Sequence, residues 1–439
     1  MPLIYAREQN KGGFWQFPDK DYILRWARIL STYAGIQVVV QLVSFLSGIL
    51  VVRNLTKADY AVYTVAGSSL VILLALSDLG IGNALLALGG KVWNDNLRLG
   101  QLFRTALQLR LGYFLIGAIV FTGVLFSLSL RAGASVRSTI PIWAILLVTA
   151  LLQLNYTIWS TVPRLRAEIT RLQMLDLSAA LLRLAFIATA ALIFMSTAIV
   201  LIINGLGYGL QALFGWRWAS QVIAPQARAT PDDRRAILHL SRNEIPNALF
   251  YCVYGQASVI VISIFAHTKE IAEVGALSRL GAIFTILGST LTTVVLPRFA
   301  RVQTRSELSK KYIQVVFCYL VGGGALLFLA FLLPDQLVWV LGGKYRGLQS
   351  DVQYIVAASL LVSFVGLIFS LNAAKGWVSG LYLSIPVIVL CQFMAAAWLN
   401  LSTVRGAVLF GALPLTGGLL VMIPLAWRGI KRAPESVAP

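Results

Sequence analysis

Charge is what this chain has least of. Only 12% of its 439 residues are Asp, Glu, Lys or Arg, and just 17 are acidic. Soluble domains carry about 25%, so a water-exposed globular surface is excluded. Histidine occurs twice, at His239 and His267, with no cysteine or carboxylate cluster beside either, and no metal site is expected. The three cysteines, Cys252, Cys318 and Cys391, all lie inside apolar runs. They read as buried thiols and exclude a disulfide framework.

Signatures of catalysis are missing as well. Gly205-Leu206-Gly207-Tyr208-Gly209 and Gly322-Gly323-Gly324 sit within apolar runs and follow no strand, so they are packing surfaces and not phosphate loops. No loop carries a pair of carboxylates for sugar transfer, and no nucleophile has a base close by in sequence. The chain is expected to be no enzyme and to need no cofactor.

What is present is apolar surface: hydrophobic residues make up 58% of the chain, and the mean hydropathy is +0.79. A membrane span takes about 20 apolar residues. Span-length windows give twelve: 29–52, 61–88, 105–130, 140–160, 174–195, 199–222, 243–266, 274–297, 312–333, 351–372, 381–400 and 406–427. Only Met195-Ser196-Thr197 divides the fifth from the sixth. The fold class is therefore an all-α, multi-pass membrane protein.

The formal charge of +19 is dispersed between apolar runs and forms no single basic face, which argues against nucleic acid as a partner. It has a topological reading instead. With the N-terminus inside, 25 of the 36 Lys and Arg fall in cytoplasmic segments, counting Arg217 at the edge of the sixth run, and 8 in external loops. That asymmetry places both termini in the cytoplasm. The first 28 residues are too long and mixed in charge for a signal peptide, and the first run is read as a retained span.

Two six-span halves follow: a cytoplasmic segment 1–28, a bundle 29–222, a linker 223–242, a second bundle 243–427 and a tail 428–439. The linker holds Ile237, Leu238 and Leu240 against Arg234, Arg235 and Arg242, which reads as a helix lying on the inner leaflet. Six spans is an even number, so any repeat between the halves is parallel. Polar stripes support one. Gln37, Gln41, Ser44 and Gly48 share a face of span one, and Asn247, Tyr251, Tyr254 and Ser258 share a face of span seven, each 210 positions on. Both fit interhelical hydrogen bonding or the lining of a cavity.

Charges inside spans are costly unless paired or hydrated. Arg183 stands near the middle of span five, too deep to reach an interface, and Asp176 is seven residues away, about 10 Å and so no direct partner. Arg110 and Arg279 lie one to two turns inside spans three and eight and could snorkel. Asp78, in the glycine-flanked SDLGIGN, fits a structural bend. Glu244 and Arg242 stand at the mouth of span seven. Interior arginines without matching carboxylates suit an anion, and the guanidinium fork suits phosphate in particular.

Certain stretches resemble a known family. The hairpin from Gly48 to Leu85, with Arg53-Asn54-Leu55-Thr56-Lys57-Ala58-Asp59-Tyr60 as its turn and Asp78-Leu79-Gly80 near its close, resembles the opening of the polysaccharide transporter family. So do Val274-Gly275, Leu296-Pro297-Arg298, and Leu333-Pro334 followed by Gly342-Gly343-Lys344-Tyr345. These are the Wzx-type flippases of lipid-linked oligosaccharide, within the multidrug/oligosaccharidyl-lipid/polysaccharide exporter (MOP) superfamily. The resemblance implies two pseudo-symmetric six-helix bundles rocking about a central cationic cavity in the bacterial inner membrane. It implies export of a polyprenyl-diphosphate-linked oligosaccharide for surface polysaccharide such as O-antigen or exopolysaccharide, and it allows other polysaccharide-assembly proteins as partners. In the family the first and seventh helices flank the cavity, which favours lining for the two stripes. The expected substrate-binding residues are Arg183, Arg110, Arg279, Gln37, Gln41, Asn247, Tyr251 and Tyr254. An acid common in span seven of relatives is replaced here by Gln256 and Ser258, so ion coupling through it is not expected. The rivals are an ion-coupled drug or metabolite exporter of the same superfamily and, from another class, a membrane polysaccharide polymerase or ligase. The short external loops argue against the second.

Overall fold

The computed structural model describes residues 20–435 apart from 167, 225, 243–244, 291–294, 297–298, 300–301, 303 and 378–379. The segment 1–19, Glu244 and Pro297-Arg298 therefore lie outside the described residues.

In chain order, α1 (Lys20–Asn54), α2 (Lys57–Asp78), α3 (Ile81–Gly89), α4 (Asn96–Arg131), α5 (Val136–Trp159), the short α6 (Thr161–Leu165), α7 (Ile169–Ile193) and α8 (Thr197–Ser220) make the first set. The linker helix α9 (Pro231–Arg242) follows. The second set is α10 (Ile245–Gly255), α11 (Ala257–Phe265), α12 (Thr268–Leu280), α13 (Ala282–Thr290), α14 (Arg305–Leu332), α15 (Pro334–Leu341), α16 (Gln349–Ala374), α17 (Ser384–Trp398), α18 (Val404–Ala412) and α19 (Thr416–Arg432). Among the described residues, ten stretches are long and apolar enough to cross a membrane, and α10 with α11, bent by 50°, makes an eleventh. The remaining expected span, 274–297, corresponds to α12 and α13 running up to the undescribed residues 291–294.

Local chemistry sets the breaks. Thr56 caps α2 by accepting from the Asp59 N–H at 3.1 Å. The expected span 61–88 is broken by Leu79 (φ 40°) and Gly80 (φ 84°), both in the left-handed region, where only glycine is free of Cβ strain. Asp78 then accepts from the Gly82 N–H at 3.2 Å and so caps α3. Spans five and six are separate: α7 ends at Ile193, Phe194 and Ser196 are extended, and the Ser196 hydroxyl accepts from the Ile199 N–H at 3.4 Å.

Helices of the first set pack chiefly on one another, α5 on α8, α2 on α4 and α1 on α7, and in the second set α16 packs on α14, α18 and α19. The main seam between the sets is α2 against α12. It is tight because Gly275 has no Cβ: one there would lie 2.2 Å from Thr64 Oγ1. Leu55, Tyr60, Val65, Ile271, Leu277 and Tyr345 are buried along this seam.

One side of the linker helix is covered by protein: α9 packs on α3 and α4, with Ile237 fully buried among Leu85, Leu99, Phe103 and Ala106 and Leu240 exposed. Asp233, 1% exposed, anchors it by accepting from both outer nitrogens of Arg98 at 2.6 and 2.8 Å. Arg98→Ala should leave the buried carboxylate unpaired and lower stability by about 1–3 kcal/mol, since Arg98 is itself part-exposed. Thermal unfolding in detergent reads this, with Arg98→Lys falling between.

Candidate functional site

A cavity of about 970 Å³ lies where the seam opens between the two sets, near the upper end of the size range of ligand sites. Its walls come from α2, α10 to α13, α14, α16 and α18. On α2 the lining residues Tyr60, Thr64, Gly67 and Val71 recur at helical spacing, and on α16 Ser359, Ser363, Gly366 and Ser370 do the same. Hydroxyls and glycines thus alternate with an otherwise apolar surface. Among the described residues, Arg279 is the one charged residue in the lining, and no carboxylate is among them.

The surroundings of Arg279 hold its head in place. Its Nε donates to the Tyr60 hydroxyl at 3.2 Å, and its guanidinium carbon lies 5.8 Å from the centre of the Tyr63 ring. Gly48 of α1 leaves the room the head occupies, since a Cβ there would come 3.3 Å from Arg279 Nη1. Tyr60 in turn donates to the Gly275 carbonyl at 3.2 Å. Tyr254 also lines the cavity and is buried.

The other expected residues stand elsewhere. Arg110 is buried, 4% exposed, and forms an ion pair with Asp78 while donating to Thr157 Oγ1 at 2.7 Å and the Leu154 carbonyl at 3.1 Å. It does not snorkel, and the premise of interior arginines without carboxylates is corrected at this position. Arg183 lies between α7 and α8, over the Tyr208 ring at 5.6 Å and against Gly207. Its Nε is buried with no hydrogen-bond partner among the described residues. Asp176 of α7 accepts from Tyr156 Oη at 2.5 Å and Gln211 Nε2 at 2.8 Å. Gln37, Gln41 and Asn247 are half-buried outside the cavity lining, and Tyr251 is turned to Ser384 Oγ at 3.3 Å. The structure thus brings Arg279 and Tyr254 together and leaves the other six outside this cavity.

At one end of the seam the two sets are tied closely. Lys57 donates to Glu273 Oε1 at 2.8 Å. Arg53 donates to the Trp339 and Val340 carbonyls at 2.6 and 2.9 Å, and Arg131 to the Ile264 carbonyl at 2.9 Å. Lys344 donates to the carbonyls of Arg53, in the last turn of α1, and of Leu55, just past its end. Burial, and then the positive charge of Lys57, pull the Lys344 ammonium below the ordinary lysine range. These residues belong to the loops that the Lys and Arg distribution assigned to the outside. Sequence reading passed over Tyr60, Glu273 and the α16 serines; the four-three-four spacing of 359, 363, 366 and 370 was the signal for the last.

No family model matches the chain, and no curated protein is similar to it. Among solved structures, an inward-facing multidrug resistance MATE family transporter of the MOP superfamily is similar with a TM-score of 0.71 at 14% identity, over 89% of this chain and 96% of that one. The lipid II flippase MurJ in an inward closed conformation gives 0.69 at 11% identity, over 91% and 90%. An outward-facing MATE transporter gives 0.62 at 14%, over 91% and 93%. The fold is the one that a multidrug transporter and a lipid II flippase share.

Proposed function

We propose that this protein flips a lipid-diphosphate-linked oligosaccharide across the bilayer by alternating access, the substrate's diphosphate binding at Arg279. The observation that carries the reading is a cavity in which, among the described residues, the one charged lining group is a guanidinium and none is an acid. A cationic drug would be repelled there, whereas a phosphate anion gains paired donors. The hydroxyl stripes on α2 and α16 suit sugar hydroxyls, and the lipid tail stays in the bilayer. Contacts gathered at the outer end support an inward-open state, in keeping with the inward-facing MATE family transporter it is similar to. Reconstitution in vesicles with a fluorescent polyprenyl-diphosphate saccharide tests it. Time-dependent protection from an added quencher is expected, and transport of cationic dyes instead would overturn it.

One observation favours ion-coupled export as a second reading, namely the Asp176 carboxylate held inside the first set by Tyr156 and Gln211. If a pH gradient drives transport and Asp176→Asn abolishes that dependence while leaving downhill exchange, coupling resides there. If transport ignores the gradient, Asp176 is structural.

A further inference from the structure

The structure assigns a binding site for an anionic glycerophospholipid in a groove between α4 and the linker that leads into α9. The groove, about 440 Å³, is lined by Thr105, Gln108, Gly112, Ile116, Thr230 and Arg234 among others. It is separate from the cavity of Arg279 and independent of the flippase reading.

The groove changes character along its length as a phospholipid does. Arg104, Gln108, Gly112 and Ile116 recur every four residues on one exposed face of α4, so they form a single stripe. It begins cationic, becomes polar, opens at Gly112, where nothing stands within 4 Å of an added Cβ, and ends apolar. From Gln108 to Ile116 the helix rises about 12 Å at 1.5 Å per residue, close to half the ~30 Å hydrocarbon core. An acyl chain laid along Gly112 and Ile116 would therefore put its phosphate level with Arg234.

The polar end is held rigid. Thr105 Oγ1 accepts from the Thr230 N–H at 3.1 Å, and the Thr230 hydroxyl donates to Asp233 at 2.7 Å. With Asp233 neutralised by Arg98, the exposed groups nearby are Arg104, Arg228, Arg234 and Arg235 against Asp232 alone. That balance selects an anionic headgroup over a zwitterionic one. The apolar stripe selects a lipid over free phosphate.

Native mass spectrometry of the full chain, loaded with phosphatidylglycerol or phosphatidylcholine, tests this. Phosphatidylglycerol adducts should survive delipidation about fivefold better, the factor expected of one arginine at an anionic lipid surface. Arg234→Gln should remove that preference and Arg234→Lys keep it. Gly112→Phe, which fills the groove from an open position, should lower retention of both lipids. Monodisperse elution and unchanged helical circular dichroism establish that each variant is folded. Equal retention of the two lipids overturns the proposal, as does wild-type retention in both Arg234→Gln and Gly112→Phe. Displacement of phosphatidylglycerol by inorganic phosphate, or by a polyprenyl phosphate but not by further phospholipid, overturns it too.

Discussion

Arg279→Ala should abolish transport while the protein still inserts and accumulates. The arginine is held by hydrogen bonds and ring faces, not by a buried carboxylate, so its removal strands no charge. What is lost is the one cation among the described residues of the cavity lining. A charge-assisted hydrogen bond contributes about 1.5–3 kcal/mol, and a diphosphate gripped by a fork forfeits two. Initial flipping rates should fall at least a hundredfold, with Arg279→Lys intermediate because a point charge replaces the fork. Gly48→Leu should reproduce the loss, because its side chain takes the space of the guanidinium. Asp78→Asn behaves differently. It leaves the buried Arg110 unpaired, and the expected result is lower protein yield with normal specific activity in what remains. Measured together, flipping rate and yield separate the arginine that binds from the arginine that builds.

That contrast marks how far the sequence could be read. Apolar periodicity and length located the spans, because a span must satisfy all of its own backbone whatever its neighbours are. The site depended on pairing, which sequence spacing does not carry. Arg110 and Arg279 look alike in one dimension, each a turn or two inside an apolar run. Arg110 meets Asp78 32 positions away, across the α2–α4 contact, while Arg279 meets Tyr60 219 positions away, across the seam. The stripe on α1 ends at Gly48, which borders Arg279, yet Gln37 and Gln41 lie off the cavity because the lining is made by the next helix. The α9 segment is amphipathic, but amphipathicity fixes only that one face is covered: Ile237 meets α3 and α4, while Leu240 stays exposed.

A reversible lock on the seam should switch transport off and on. Thr64 and Gly275 face each other across α2 and α12, and a Cβ on Gly275 would stand 3.0 Å from Thr64 Cβ. Disulfides need about 3.5–4.5 Å between Cβ atoms, so Thr64→Cys with Gly275→Cys closes after a shift of roughly half an ångström. Cys252, Cys318 and Cys391 are replaced first so that no other pair competes. The bond ties the sets beside Tyr60 and two residues from Glu273, on the side where Lys57, Arg53 and Lys344 already hold them. Alternating access requires this end to part, and a covalent tie exceeds any free energy the substrate can supply. Oxidised protein should therefore bind the lipid-linked saccharide from the inside and not flip it, and reduction should restore the rate of the unlocked double variant. Lys57→Ala with Glu273→Gln is the converse. Removing the ion pair from both sides leaves no charge stranded and loosens that end of the seam, so thiol probes placed at Ser278 should gain access from that side. If the oxidised protein flips substrate at the reduced rate, the α2–α12 seam does not open during transport. The moving boundary would then have to lie elsewhere in the fold.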